Sequence, residues 1–169
     1  MAKRILAVDD NEDLLTLLAD VLGDEGYDVV TCGRSREAYG LAKDTRPDLV
    51  LLDVLMPGMN GWEVLNVFLL DREMCAIPIV LMTAAAADAR KRLSRVGVYS
   101  ITILDKPFSI DLLLERIDAA LGKPSECERL YERLTSLADP VSPVVAQPRP
   151  APLPARFPRP AERSAQGEQ

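Results

Sequence analysis

The sequence predicts an α/β domain built on an open, parallel, doubly wound sheet of five strands. Three observations lead there. Short apolar runs alternate five times with amphipathic stretches of helical period. The links between them are short, as sequential strand–helix units require. The third run, Leu49-Val50-Leu51-Leu52, is almost wholly apolar, which suits a central strand covered by helices on both faces.

Each element has its own signal. Residues 4–8 are the first strand, and acids follow at once. Residues 11–22 set Leu14, Leu15, Leu17, Leu18, Val21 and Leu22 on a broad helical face, and Gly23 and Gly26 are expected to break that helix. Residues 28–32 are a second, β-branched strand. Ser35 is expected to cap a helix running through Lys43, with Ala38, Leu41 and Ala42 inward, and Pro47 ends the unit. Residues 49–52 form the third strand and residues 61–70 the third helix. Pro78 precedes a fourth strand at 79–82. Residues 88–95 predict a short basic helix carrying Arg90, Lys91, Arg92 and Arg95, read first as a solvated face and second as a dock for an acidic partner surface. Residues 101–104 are the fifth strand. The last helix of the repeat spans 109–121, with Ser109 as N-cap and Gly122 as stop.

The expected organisation is a folded domain over residues 1–124, an extra helix within 125–139, and a tail over 140–169. Leu130, Leu134 and Leu137 share one side of that extra helix. The tail is so rich in proline that helix and sheet are both blocked, and it is expected to be extended and disordered. With 169 residues and 48% hydrophobic content, the chain can bury a substantial core. No apolar run approaches the roughly 18 residues that span a bilayer. The N-terminus reaches Asp9-Asp10 too early for a signal peptide. A cytoplasmic protein is expected. The three cysteines, Cys32, Cys75 and Cys127, are odd in number and widely spaced, and are read as buried free thiols. A net charge of −6 argues against a nucleic-acid binder. The absence of histidine removes the Ser-His-Asp and Cys-His reaction classes, the usual zinc enzymes and a phosphohistidine carrier. Chemistry is left to carboxylates, lysine, hydroxyls and a hard metal ion.

Ligands of such sheets bind beyond the carboxyl ends of the strands. Asp9 and Asp10 follow the first strand there, Asp53 the third, Thr83 the fourth and Lys106 the fifth. In a parallel sheet all five converge on one edge. Three carboxylates within about 5 Å cost a few kcal/mol per pair at an effective dielectric of about 20. A hard divalent cation such as Mg²⁺ offsets that repulsion, and Lys106 adds a further positive charge. Asp53 is then ionised and can attack phosphorus to form an acyl phosphate, while metal and ammonium stabilise the transferring oxygens and Thr83 donates to one of them.

The stretch Asp53-Val54-Leu55-Met56-Pro57-Gly58-Met59-Asn60-Gly61 resembles the phosphorylation loop of bacterial response-regulator receiver domains. Asp9-Asp10, Thr83-Ala84 and Lys106-Pro107-Phe108 match that family's other motifs in order and spacing, so the resemblance covers about residues 3–121. It implies a flavodoxin-like fold with strand order 2-1-3-4-5. It further implies phosphorylation of Asp53 by the phosphohistidine of a sensor histidine kinase. Mg²⁺ would be held by Asp10, Asp53 and the backbone carbonyl of Leu55, with Asp9 acting through water. Thr83, Lys106 and Pro107 complete the site, and the Lys106–Pro107 bond is expected to be cis. Ile103 stands three residues before the lysine, where the family often carries Tyr or Phe, so the usual aromatic readout is absent.

The leading expectation is therefore a stand-alone, phosphorylation-switched signalling domain. It would act on a downstream partner protein through the face made by the fourth helix, fifth strand and fifth helix. One alternative is an aspartate-nucleophile phosphatase. Enzymes of that kind resembling the haloacid dehalogenases need a second acid two residues after the nucleophile, where this chain has Leu55. The other is a DNA-binding regulator contacting DNA through its tail, whose four arginines against two acids over 140–169 are a weak excess.

Overall fold

The computed structural model describes residues 2–95 and 101–122. Five strands, β1 (Arg4–Val8), β2 (Asp28–Cys32), β3 (Leu49–Asp53), β4 (Ile79–Thr83) and β5 (Thr102–Asp105), alternate with five helices. The helices are α1 (Glu12–Asp24), α2 (Ser35–Thr45), α3 (Gly61–Leu70), α4 (Ala86–Arg95) and α5 (Ile110–Leu121). The sheet order is β2-β1-β3-β4-β5, and every pairing is parallel. The expected doubly wound, flavodoxin-like architecture is what the chain adopts.

Strand alternation divides the core in two. Val50 and Leu52 of β3 point to one face, where α2 contributes Ala38 and Ala42, α3 contributes Val64, Leu65 and Phe68, and α4 contributes Leu93. Leu49 and Leu51 point to the other, against Leu15, Leu18 and Leu22 of α1 and Leu113, Ile117 and Ala120 of α5. All five β3 residues are buried, which is why that run lacks the apolar–polar alternation of a half-exposed strand.

Several boundaries differ from expectation, for local reasons. Gly23 does not break α1, which continues to Asp24; the turn is made by Gly26, whose φ of +88° favours glycine. Leu17 is not on the inner face but 50% exposed. Ser35 is not the N-cap of α2 but its first helical residue. Arg34 holds the N-cap position without a capping side-chain bond. Helix α4 starts two residues earlier than expected, and β5 is shifted forward by one. Ser109 does cap α5, accepting from the Leu112 N–H at 3.2 Å. Asn11 and Asn60 cap α1 and α3, the latter in a reciprocal capping box with Glu63. The expectation of three free thiols holds for buried Cys32 and fails for Cys75, which is disulfide-bonded. Cys127, the extra helix within 125–139 and the tail lie outside the described residues. Among the described residues, no helix is long and apolar enough to cross a membrane.

Candidate functional site

The parallel register sets the site. Asp53 ends β3 beside Met82, and Thr83 ends β4 beside Asp105. Asp9 directly follows β1, and its N–H donates to the Cys32 carbonyl at 3.2 Å, extending the β1–β2 ladder by one rung. The Lys106 N–H donates to the Thr83 carbonyl at 2.8 Å and does the same for β4 and β5. These pairings draw Asp9, Asp53, Thr83 and Lys106 to one edge of the sheet. The Lys106–Pro107 peptide is cis, as expected.

At that edge the Lys106 ammonium donates to Asp9 Oδ2 at 2.7 Å and to Asp53 Oδ1 at 3.0 Å. Asp9 is 1% and Asp53 4% exposed, so this is a buried, charge-assisted triad and not a solvated surface lysine. Asp9 is fixed further by the Asn11 N–H, which donates to its Oδ1 at 2.9 Å. Burial pushes the Asp53 carboxyl up from the ordinary range, while the Lys106 hydrogen bond and charge oppose that shift. Burial also pulls the Lys106 ammonium down, but the bonds to Asp9 and Asp53 outweigh it and its pKa is raised. Lys106 therefore stays charged at neutral pH.

Asp10 is exposed at the mouth. Carboxylate oxygens of Asp9, Asp10 and Asp53 lie within 4.8 Å of one another. Three hard oxygen donors, two of them buried, with one lysine against three negative charges, fit a divalent cation such as Mg²⁺. Leu55, two residues beyond Asp53, has its side chain 66% exposed. It leaves no second acid where the phosphatase reading needs one. Thr83 is 2% exposed, and its Oγ1 accepts from the Ala85 N–H at 3.0 Å. The hydroxyl thus performs the ordinary turn-stabilising role, yet its own proton remains available for donation.

Two features escaped the sequence reading. The direct Asp9–Lys106 bond joins residues far apart in the chain, and no local pattern encodes it. Gly61, the first residue of α3, packs against the end of β3, and its N–H donates to the Val54 carbonyl at 3.0 Å. A Cβ there would overlap the Asp53 carbonyl oxygen and lie 2.8 Å from Val54 Cα. The glycine inside the matched loop was the available signal. Arg92 of the basic helix is not simply solvated, since its guanidinium lies 4.5 Å from the centre of the Trp62 ring.

A 2-1-3-4-5 sheet with three aspartates and a bridging lysine at its carboxyl edge is the arrangement of a signalling domain of the two-component type. The response regulator receiver domain pattern matches residues 5–118, and the chain belongs to that family. It is 38% identical over 123 residues to the DNA-binding response regulator MtrA of Mycobacterium tuberculosis, covering 73% of this chain and 52% of that protein. The chain thus spans about half the length of the MtrA relatives it matches. It is 34% identical over 122 residues to the polar-differentiation response regulator DivK of Brucella anthropi, covering 72% of this chain and 98% of DivK. Among solved structures, chemotaxis protein CheY4 of Vibrio cholerae superposes with a TM-score of 0.65 at 29% identity, over 71% of this chain and 99% of CheY4.

Proposed function

We propose that Asp53 is the phosphoacceptor and that a sensor histidine kinase is the donor. A carboxylate oxygen of Asp53 forms a bond to phosphorus as the bond to the donor's imidazole nitrogen breaks, the electron pair leaving with the imidazole. Asp10, Asp53 and the Leu55 carbonyl would hold Mg²⁺, with Asp9 reaching it through water. An ion held there would supply positive charge to offset that on the transferring oxygens. Lys106 holds Asp53 in position and then bonds a phosphoryl oxygen, and Thr83 donates to another. The reading rests above all on the Lys106 ammonium bridging two buried carboxylates at 2.7 and 3.0 Å.

The product offers three acceptor oxygens and more negative charge than a carboxylate. Thr83 and Lys106 are drawn toward it, each new bond to a charged group contributing about 1.5–3 kcal/mol. That is enough to turn a minor conformation into the major one. The loops concerned lead into α4 and out of β5, so the α4–β5–α5 face is the output surface, read by a cytoplasmic partner protein. With Ile103 in place of an aromatic, the β4–α4 loop carries most of the change.

Incubation with acetyl phosphate and Mg²⁺ tests the core of this reading. Intact-mass measurement should show one added phosphoryl group in the wild type and none in Asp53→Asn. Undiminished labelling of the variant would remove Asp53 from the role.

A further inference from the structure

Helix α5 divides its charge between two flanks. Leu113, Ile117 and Ala120 face the sheet. Asp111, Glu115 and Asp118 recur along one flank at helical spacing, all exposed. Asp118 accepts from the Tyr27 hydroxyl at 3.2 Å, which turns that flank toward the end of α1. The opposite flank carries Leu112 and Arg116, both half-buried, and faces the edge of the sheet where β5 is the last strand. Helix α4 repeats the division on the other face of the sheet. Ala86, Ala89 and Leu93 point inward, and Arg92 lies over the Trp62 ring, which turns its flank toward α3. The flank away from α3 carries Arg90, with Lys91 next to it, both exposed, and it lies beside β5. Half-buried Ile103 of β5 packs on that side.

The cations gathered at this edge are poorly compensated. Arg90 and Arg116 make no ion pair among the described residues. Lys91 stands 3.8 Å from Asp88, a contact between two exposed side chains that contributes little. The acid of β5 is Asp105, at its carboxyl end. A strip of arginine, lysine and apolar side chains therefore sits on a chain whose net charge is −6. A nucleic-acid backbone would be repelled by the acids elsewhere on the chain and would leave the apolar side chains uncovered. A protein segment that carries both carboxylates and apolar groups complements the whole strip.

We propose that the strip along the β5 edge docks an acidic, partly apolar segment of a partner protein, its carboxylates set on Arg90, Lys91 and Arg116 and its apolar side chains on Ile103 and Leu112. This rests on the reading of the α4–β5–α5 face as the output surface, and it adds the chemistry of what that surface receives. The Thr83 loop leads into α4 and Lys106 follows β5, so both halves of the strip hang on elements that meet the proposed phosphoryl group.

The test is fluorescence anisotropy of a labelled glutamate–leucine peptide titrated with the full-length protein in beryllofluoride and Mg²⁺. Saturable binding is expected, weaker at higher salt, and distinctly weaker for the peptide with glutamine in place of glutamate. Arg90→Glu and Arg116→Glu should each weaken it about threefold or more. Arg36→Glu makes the same change of charge at an exposed position of α2 and should leave it unaltered. The proposal is overturned by absence of saturable binding, by equal affinity for the glutamine peptide, by indifference to Arg90→Glu, by an equal loss in Arg36→Glu, or by tighter binding of duplex DNA to the same arginines. Hydrogen exchange with beryllofluoride and no peptide separates the two readings. Altered protection in α4 and β5 without peptide binding removes the acidic partner alone. Peptide binding that depends on Arg90 with protection unaltered supports the dock and removes the switch.

Discussion

Gly61→Ala places a single methyl group where the start of α3 meets the end of β3. The new Cβ would lie 2.8 Å from Val54 Cα and 2.9 Å from the Asp53 carbonyl carbon. Carbon atoms rest at about 3.5 Å, so the two backbones must part by about 0.7 Å. All these neighbours are main chain, and no flexible side chain can yield. Over-packing of this kind costs about 1–3 kcal/mol, against at most about 1 kcal/mol gained from alanine's better helix propensity. The net expectation is a loss of about 1–2 kcal/mol, read as a lower urea midpoint at unchanged slope. The same displacement falls on Asp53 itself. A misplacement of about 1 Å can cost a hundredfold in rate, so labelling by acetyl phosphate should slow roughly tenfold or more. Gly40→Ala is the control. It lies within α2 with nothing within 4 Å of an added Cβ, and should stabilise by about 0.5–1 kcal/mol. A Gly61→Ala protein as stable as wild type and labelled at the same rate would refute this reasoning.

Three further outcomes are expected. Mg²⁺ titration monitored by Trp62 fluorescence should show at least tenfold weaker binding in Asp10→Ala, and unchanged affinity would remove Asp10 from the proposed ligands. Asp71 accepts from the Tyr39 hydroxyl at 2.6 Å and pairs with Lys43 at 2.9 Å, and these contacts, Tyr39 first, hold its carboxyl well below the ordinary range. A depressed folded-state pKa means stability that is present above the unfolded value of about 3.9 and lost as pH falls below it. The urea midpoint should therefore drop between pH 5 and about pH 2, and drop less in Asp71→Asn, whereas equal acid sensitivity would show that other groups govern the loss. Hydrogen exchange with and without beryllofluoride should change across residues 84–95 and 101–104, and the change should vanish in Thr83→Ala; a response confined to α1 and α2 would place the output on another face.

Much of this was legible in the sequence because the fold repeats one simple unit. β3 could be read as central from four successive apolar residues, since both its faces are covered. The convergence of Asp9, Asp53, Thr83 and Lys106 followed from parallel strands alone, as each side chain stands at or just beyond a carboxyl end. Helix starts were harder. Ser35 matched a capping residue by type, yet the backbone turned one residue earlier, and Ser35 became the first residue of the helix, on its buried side. Gly23 matched a breaker but is tolerated in an exposed last turn, where its cost is small. The Asp9–Lys106 bond and the Gly61 contact depend on three-dimensional proximity between distant segments, which no periodicity reports.

The strand that carries the proposed phosphoacceptor also has little freedom to move. β3 is hydrogen-bonded on both edges and packed on both faces, and Asp53 is its final residue. A charge added there meets an anvil. On the proposed reading, what yields is the lighter structure around it, the turns after β4 and β5, which lie toward one end of the strand order. Stiffness at the point of modification thus acts as a rectifier. On that reading it would send the response outward along one flank of the sheet, toward the proposed partner surface, and let little of it leak into the core.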